Sequence, residues 1–115
     1  MQIHLTPRHI RLTASIHGHT AGVIEHLEDY AEIFAAHVVL IHDEAAKPKD
    51  RFSVKAHLAI RGTDVHAEES AETIHAALDL VGDKLARQLR KRKTKMKDKR
   101  RSKVQRELER VRGGK

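Results

Sequence analysis

The hydrophobic period of this chain changes once, and that change limits what it can fold into. Over "RFSVKAHLAIRG" (residues 51–62) apolar and polar positions alternate. Phe52, Val54, Ala56, Leu58 and Ile60 fall on one side, and Ser53, Lys55, His57 and Arg61 on the other. Period two is the mark of a strand with one buried face. From about Ala71 the spacing turns helical: Ile74, Leu78, Val81, Leu85 and Leu89 step by four, three, four and four. That is one apolar stripe on a long amphipathic helix. A one-faced strand followed by a one-faced helix calls for two layers, a sheet covered on a single side.

The other segments extend this plan. "QIHLT" (residues 2–6) alternates as a short strand, and "PRHIR" follows as a connection. Thr13 is placed to cap a helix over "TASIHGHTAGVIEHLEDYAEIF", with Ile16, Val23, Leu27, Tyr30 and Phe34 at helical spacing. Gly18 and Gly22 weaken that helix by about 1 kcal/mol each relative to alanine, and they offer room for close helix–sheet approach. "HVVLIHD" (residues 37–43) reads as a buried strand, "EAAKPKD" as a loop, and "TDVHAEES" as a further short strand. Gly62 and Thr63 mark a tight hairpin. The expected fold is α+β, in the order β-α-β-β-β-α: a four-stranded sheet with two helices packed on one face, similar to a double-stranded-RNA-binding domain. The opposite face should be polar, with His4, Lys55, His57, Arg61 and His66 upon it.

Charge divides the 115 residues in two. Residues 1–83 hold 7 Lys+Arg against 13 Asp+Glu, whereas residues 84–115 hold 16 against 3, so the net charges are −6 and +13. Capping a helix C-terminus takes only a few cations. A block of this size points to a polyanion, nucleic acid first. At 100° per residue Lys84, Arg87, Lys91 and Lys95 lie within about 80° of arc. Neighbours in that line are about 5–6 Å apart, close to the phosphate spacing of a strand. The expected organisation is a domain over residues 1–95 and a basic tail over residues 96–115, disordered or helical.

Several chemistries are excluded or disfavoured. Without cysteine, disulfides and thiolate metal sites are absent. No apolar run of about 18 residues is present to span a membrane, and the N-terminus has no signal-peptide core. A cytosolic protein is therefore expected, a monomer when free, with no cofactor and no small-molecule substrate. The 10 histidines include no HExxH, and the pairs His17/His19 and His37/His42 are spaced so that their rings diverge. His57 and His66 can be neighbours on adjacent strands, which admits an acid–base pair; plain surface histidines are the commoner outcome. Tyr30, Phe34 and Phe52 have core-like spacing, so binding should rest on backbone and shape rather than base stacking.

At "HAALDLVGDKLARQLRKRKTKMK" the chain resembles the second helix of the ribosome hibernation-promoting factors, also called ribosome-associated inhibitors or sigma-54 modulation proteins. "IHLTPRHIRLT", "HLEDY" and "HAEESAETIHAALD" are similar to the family's first strand and turn, the end of its first helix, and its fourth strand entering helix two. The resemblance spans about residues 1–95. It implies a non-enzymatic translation inhibitor of the short form, acting in stressed bacterial cells. Such a protein occupies the messenger- and transfer-RNA channel of the small ribosomal subunit and preserves idle ribosomes. It also implies ribosomal-RNA contacts at Lys84, Arg87, Lys91 and Lys95, with Arg90 and Arg92 as further members. Val23 and His26 stand where family members carry lysines, and His75 replaces a typical tyrosine. The alternative is a general RNA-binding chaperone or a ribosome-associated structural protein.

Overall fold

The computed structural model describes residues 2–92; Lys95 and the basic segment 96–115 lie outside them. The chain order is β1 (Gln2–Arg8), α1 (Ala14–Leu27), β2 (Ile33–His42), a short 3₁₀ turn (Pro48–Asp50), β3 (Phe52–Ile60), β4 (Val65–Ala71) and a second helix, α2, over residues 74–92. The sheet order is β1-β2-β3-β4, with β1 parallel to β2 and the other pairs antiparallel. α1 is thus the crossover that a parallel pair requires. The expected α+β order, β-α-β-β-β-α, is the observed one.

One apolar layer holds the domain together. Val38 and Leu40 of β2, Val54 and Leu58 of β3, and Ile24 and Leu27 of α1 form a single buried cluster with Leu78, Leu85 and Leu89 of α2. The intervening strand positions His37, Lys55, His57 and His66 are exposed. Both helices therefore cover one face and leave the other open.

Local boundaries depart from expectation at four places. α1 stops at Leu27, where the turn amide of Tyr30 donates to the Leu27 carbonyl at 3.0 Å. Glu28 and Asp29 are acids at a helix C-terminus, where the dipole disfavours them. Released from the helix, Ile33–Ala36 joins β2, with a register shift between Ile33 and Ala35. Phe34 is consequently 52 % exposed and not part of the core. β1 continues through Pro7 to Arg8, which an edge strand permits because one row of its amides has no partner to lose. The β3–β4 turn spans residues 61–64, longer than a two-residue hairpin, with Gly62 at φ +96°.

The helix starts follow the sequence. Thr13 accepts from the Ile16 amide at 3.2 Å, and Thr73 accepts from the Ala76 amide at 3.1 Å. Each satisfies an amide that the first turn leaves without a partner.

The glycines behave differently from expectation. A Cβ added at Gly18 or Gly22 would meet nothing within 4 Å, so neither serves a close approach. The close approach belongs to Gly82 of α2, whose added Cβ would lie 2.7 Å from Val23 Cγ1 of α1. A β-branched side chain has little freedom to yield there. Gly18→Ala and Gly22→Ala should each raise stability by up to about 1 kcal/mol. Gly82→Ala should lower it by about 1–3 kcal/mol, and Leu85→Ala by about 2–5 kcal/mol. Urea denaturation midpoints check all four. Stabilisation by Gly82→Ala would contradict the described helix contact.

Candidate nucleic-acid interface

α2 presents its cations in three directions. Its apolar stripe lies on the sheet, so residues on one flank reach β4, those on the other flank reach α1, and those between face solvent. Lys84 is on the sheet flank. Its Nζ is 2.9 Å from Glu69 Oε1 and donates to the Glu68 carbonyl at 3.3 Å. Gln88, one turn on, donates to the His66 carbonyl at 2.9 Å. Arg92 continues this flank onto the β3–β4 turn, where its guanidinium donates to the carbonyls of Thr63 and, at 2.7 Å, Arg61. That fork spans Gly62, where any side chain would collide with Arg92.

Arg90 leaves on the opposite flank. It sits 5.8 Å from the centre of the Tyr30 ring and closes one end of a groove between the helices. Gly18, Gly22 and Gly82 keep this groove open, to a volume of about 770 Å³. Arg87 and Lys91 lie between the flanks and are exposed. Neither makes an ion pair among the described residues. By helical angle Lys84, Arg87 and Lys91 of the expected stripe share one side of α2, although the Lys84 side chain turns onto the sheet flank; Arg90 and Arg92, the further members, lie on the two flanks.

Two polar clusters were only partly legible. Between the helices, the His19 ring donates to Asp79 at 2.7 Å, and Ser15 is paired with His75 at 3.2 Å. On the open sheet face His57 and His66 are register partners, as anticipated, with near-parallel rings 6.4 Å apart. His57 Nε2 donates to Asp64 Oδ2 at 2.8 Å. That hydrogen bond holds the Asp64 carboxyl below its ordinary value of 3.8; desolvation opposes it, and the Ile60 amide and the charges of His57 and Arg92 give smaller help. Both rings are exposed on an open surface, which offers N–H donors but no walled site for acid–base chemistry. Among the described residues no group of three or more His, Asp or Glu could hold a metal ion, and no helix is long and apolar enough to cross a membrane.

Residues 3–97 match the family model of the sigma 54 modulation protein / S30EA ribosomal protein. The chain belongs to this family. The ribosome hibernation promoting factor of Escherichia coli is 32% identical over 98 residues, which cover 84% of this chain and 98% of that protein. The ribosome hibernation promotion factor of a Picosynechococcus strain is 33% identical over 97 residues, 83% of this chain. The chain spans about half of that cyanobacterial protein, 50% of its length. In fold the domain is similar to a ribosomal subunit interface protein from Coxiella burnetii, with a TM-score of 0.69 and 21% identity over 82% of this chain and 99% of that one. It is also similar to the N-terminal domain of Thermus thermophilus Protein Y, with a TM-score of 0.66 and 24% identity over 79% and 98%.

The His57–Asp64 pair yields a signed expectation. A depressed carboxyl pKa contributes stability that is present above the unfolded value, near 3.8, and is lost as pH falls through the folded value. In His57→Gln the Asp64 carboxyl should titrate closer to 3.8, as followed by its carboxyl carbon shift in NMR. An unchanged Asp64 titration would mean that the hydrogen bond is not populated.

Proposed function

We propose that this chain is a ribosome-binding, non-enzymatic translation inhibitor of the hibernation-promoting type. It acts in the cytoplasm by occupying the messenger- and transfer-RNA channel of the small ribosomal subunit and so stabilises idle ribosomes. The observation that carries the reading is the state of Arg87 and Lys91: both stand exposed on a rigid helix, with no ion pair among the described residues, at the start of a segment of net charge +13. Family membership, and relatives named as ribosome hibernation factors, support the same reading.

The mechanism is occlusion. A cationic helix on a rigid body neutralises phosphates along the channel and excludes other RNA ligands from the same surface. Arg87 and Lys91 lead the contact; Lys95, which lies outside the described residues, is a further proposed contact. Lys84 and Arg92 lie beside it with their side chains anchored to β4 and its turn. Arg90 contributes from the α1 side. The fold of the domain does not depend on Arg87 or Lys91, since both stand outside the buried layer.

Arg87→Glu combined with Lys91→Glu should leave the domain folded, because such surface changes cost about 0.5 kcal/mol or less. The double variant should lose inhibition in a reconstituted translation assay and no longer co-sediment with small subunits in a sucrose gradient. Full inhibition by the folded variant would refute the assignment. Removal of residues 96–115 tests the basic segment separately. It holds nine Lys+Arg. With about half of them on phosphate, truncation should reduce the slope of log K against log salt by about 3–4. Equal slopes for full-length and truncated protein would leave α2 as the sole contact.

A further inference from the structure

The open face of the sheet carries an alignment of histidines that no single strand reveals. His4 of β1 is the register partner of His37 on β2, His37 of His57 on β3, and His57 of His66 on β4. One imidazole from every strand thus falls in a single row across the sheet, and all four are exposed. At both ends of the row the rings stack. His4 and His37 have centroids 4.8 Å apart and planes 11° apart; His57 and His66 are 6.4 Å apart at 10°.

This geometry selects the ligand chemistry. Ring nitrogens hold their lone pairs and N–H bonds in the ring plane. Parallel rings therefore aim them side by side and not at one point, unlike the convergent set that a metal needs. Side chains stand roughly perpendicular to a sheet, so stacked rings spend their faces on each other and present edges outward. The row is a line of N–H donors at about the spacing of consecutive phosphates. His37, His57 and His66 also line a shallow depression of about 280 Å³ with Lys55 and Glu68. Phe34, exposed at the register shift of the same strand as His37, offers a ring face to a base.

Charge completes the case. The charged groups on and around this face are Arg8, Lys55, Arg61 and, at the β3–β4 turn, Arg92 against Asp50, Asp64 and Glu68. Lys55 is 3.9 Å from Glu68, and Asp64 is bound to His57. With neutral imidazoles the face is close to balanced, with one positive charge in excess. Protonating the row adds up to four positive charges where, among the described residues, the one acid in contact with a row histidine is Asp64. Neighbouring imidazoliums repel each other, and a polyanion laid across them relieves that repulsion, so binding and proton uptake are coupled.

We infer that the open sheet face, through the row His4–His37–His57–His66, binds the phosphate backbone of a single RNA strand, and binds it more tightly as the imidazoles become protonated. This surface lies on the opposite side of the sheet from α2 and does not rest on the ribosome reading.

The test uses the full chain and an oligouridylate about 12 nucleotides long, long enough to cross one sheet face. Affinity is measured by fluorescence anisotropy at constant ionic strength between pH about 7.5 and about 5.5, the range over which histidine changes charge. Wild-type affinity should rise about tenfold or more on acidification, which corresponds to net uptake of about half a proton or more averaged over the range. The combined variant His4→Gln, His37→Gln, His57→Gln, His66→Gln should change by less than about twofold, since it keeps every Lys and Arg but no titrating row. A control with His9→Gln, His17→Gln and His26→Gln should behave as wild type. On the unmodified protein, the ring NMR signals of the four row histidines should shift on adding the oligonucleotide, and their titrations should move upward. A pH response that persists in the four-histidine variant, or row signals that ignore the oligonucleotide, would overturn the inference.

Discussion

Everything in this domain depends on burying one apolar layer between one face of the sheet and two helices. Leu40, Val54, Leu58, Leu78 and Leu85 are all fully buried in that layer. At about 25 cal/mol per Å² of apolar surface, such side chains supply most of what opposes chain entropy in a small domain. Because the layer is one-sided, it leaves the outer sheet face and the outer side of α2 free of core duties. The surfaces proposed to meet RNA are the two that the core does not claim, and substitutions on either can change charge without touching what holds the fold together.

The two periods made the architecture legible before any coordinates. The alternation over β3 and the stripe Ile74–Leu78–Val81–Leu85–Leu89 gave the inward faces correctly. The α1–β2 junction was misread for a physical reason. Tyr30 and Phe34 follow Ile16, Val23 and Leu27 at helical spacing, but the acids Glu28 and Asp29 and the strand-forming run after Glu32 act against continuation. The buried positions of α1 turned out to be Ile16, Thr20, Ile24 and Leu27. Thr20 satisfies its hydroxyl on the Ile16 carbonyl at 2.8 Å, so a polar residue sits in the core without an unsatisfied group. Nothing in residue type alone distinguishes that threonine from an exposed one.

The candidate interface was legible in charge and only half legible in geometry. Helical angles place Lys84, Arg87 and Lys91 together, and the fold does so. They cannot show that Lys84 is occupied by Glu69 or that Arg92 folds back on the hairpin, since both depend on which strand lies beside the helix. The histidine row has the same origin. Each histidine is an ordinary outward position on its own strand, and only the register of all four strands aligns them.

Lys84 and Gln88 have one more consequence. β1 and β4 are the edges of the sheet, and an exposed edge is a template for strand addition and aggregation. On β1, Pro7 withholds one amide from any incoming strand. On β4, the carbonyls of His66 and Glu68 are already taken by the Gln88 and Lys84 side chains reaching down from α2. A fifth strand would have to break both contacts and would meet the carboxylates of Glu68 and Glu69. The helix that carries the cations is thus also the guard of the sheet's far border, and it favours a four-stranded sheet that stays four-stranded even where the protein is concentrated.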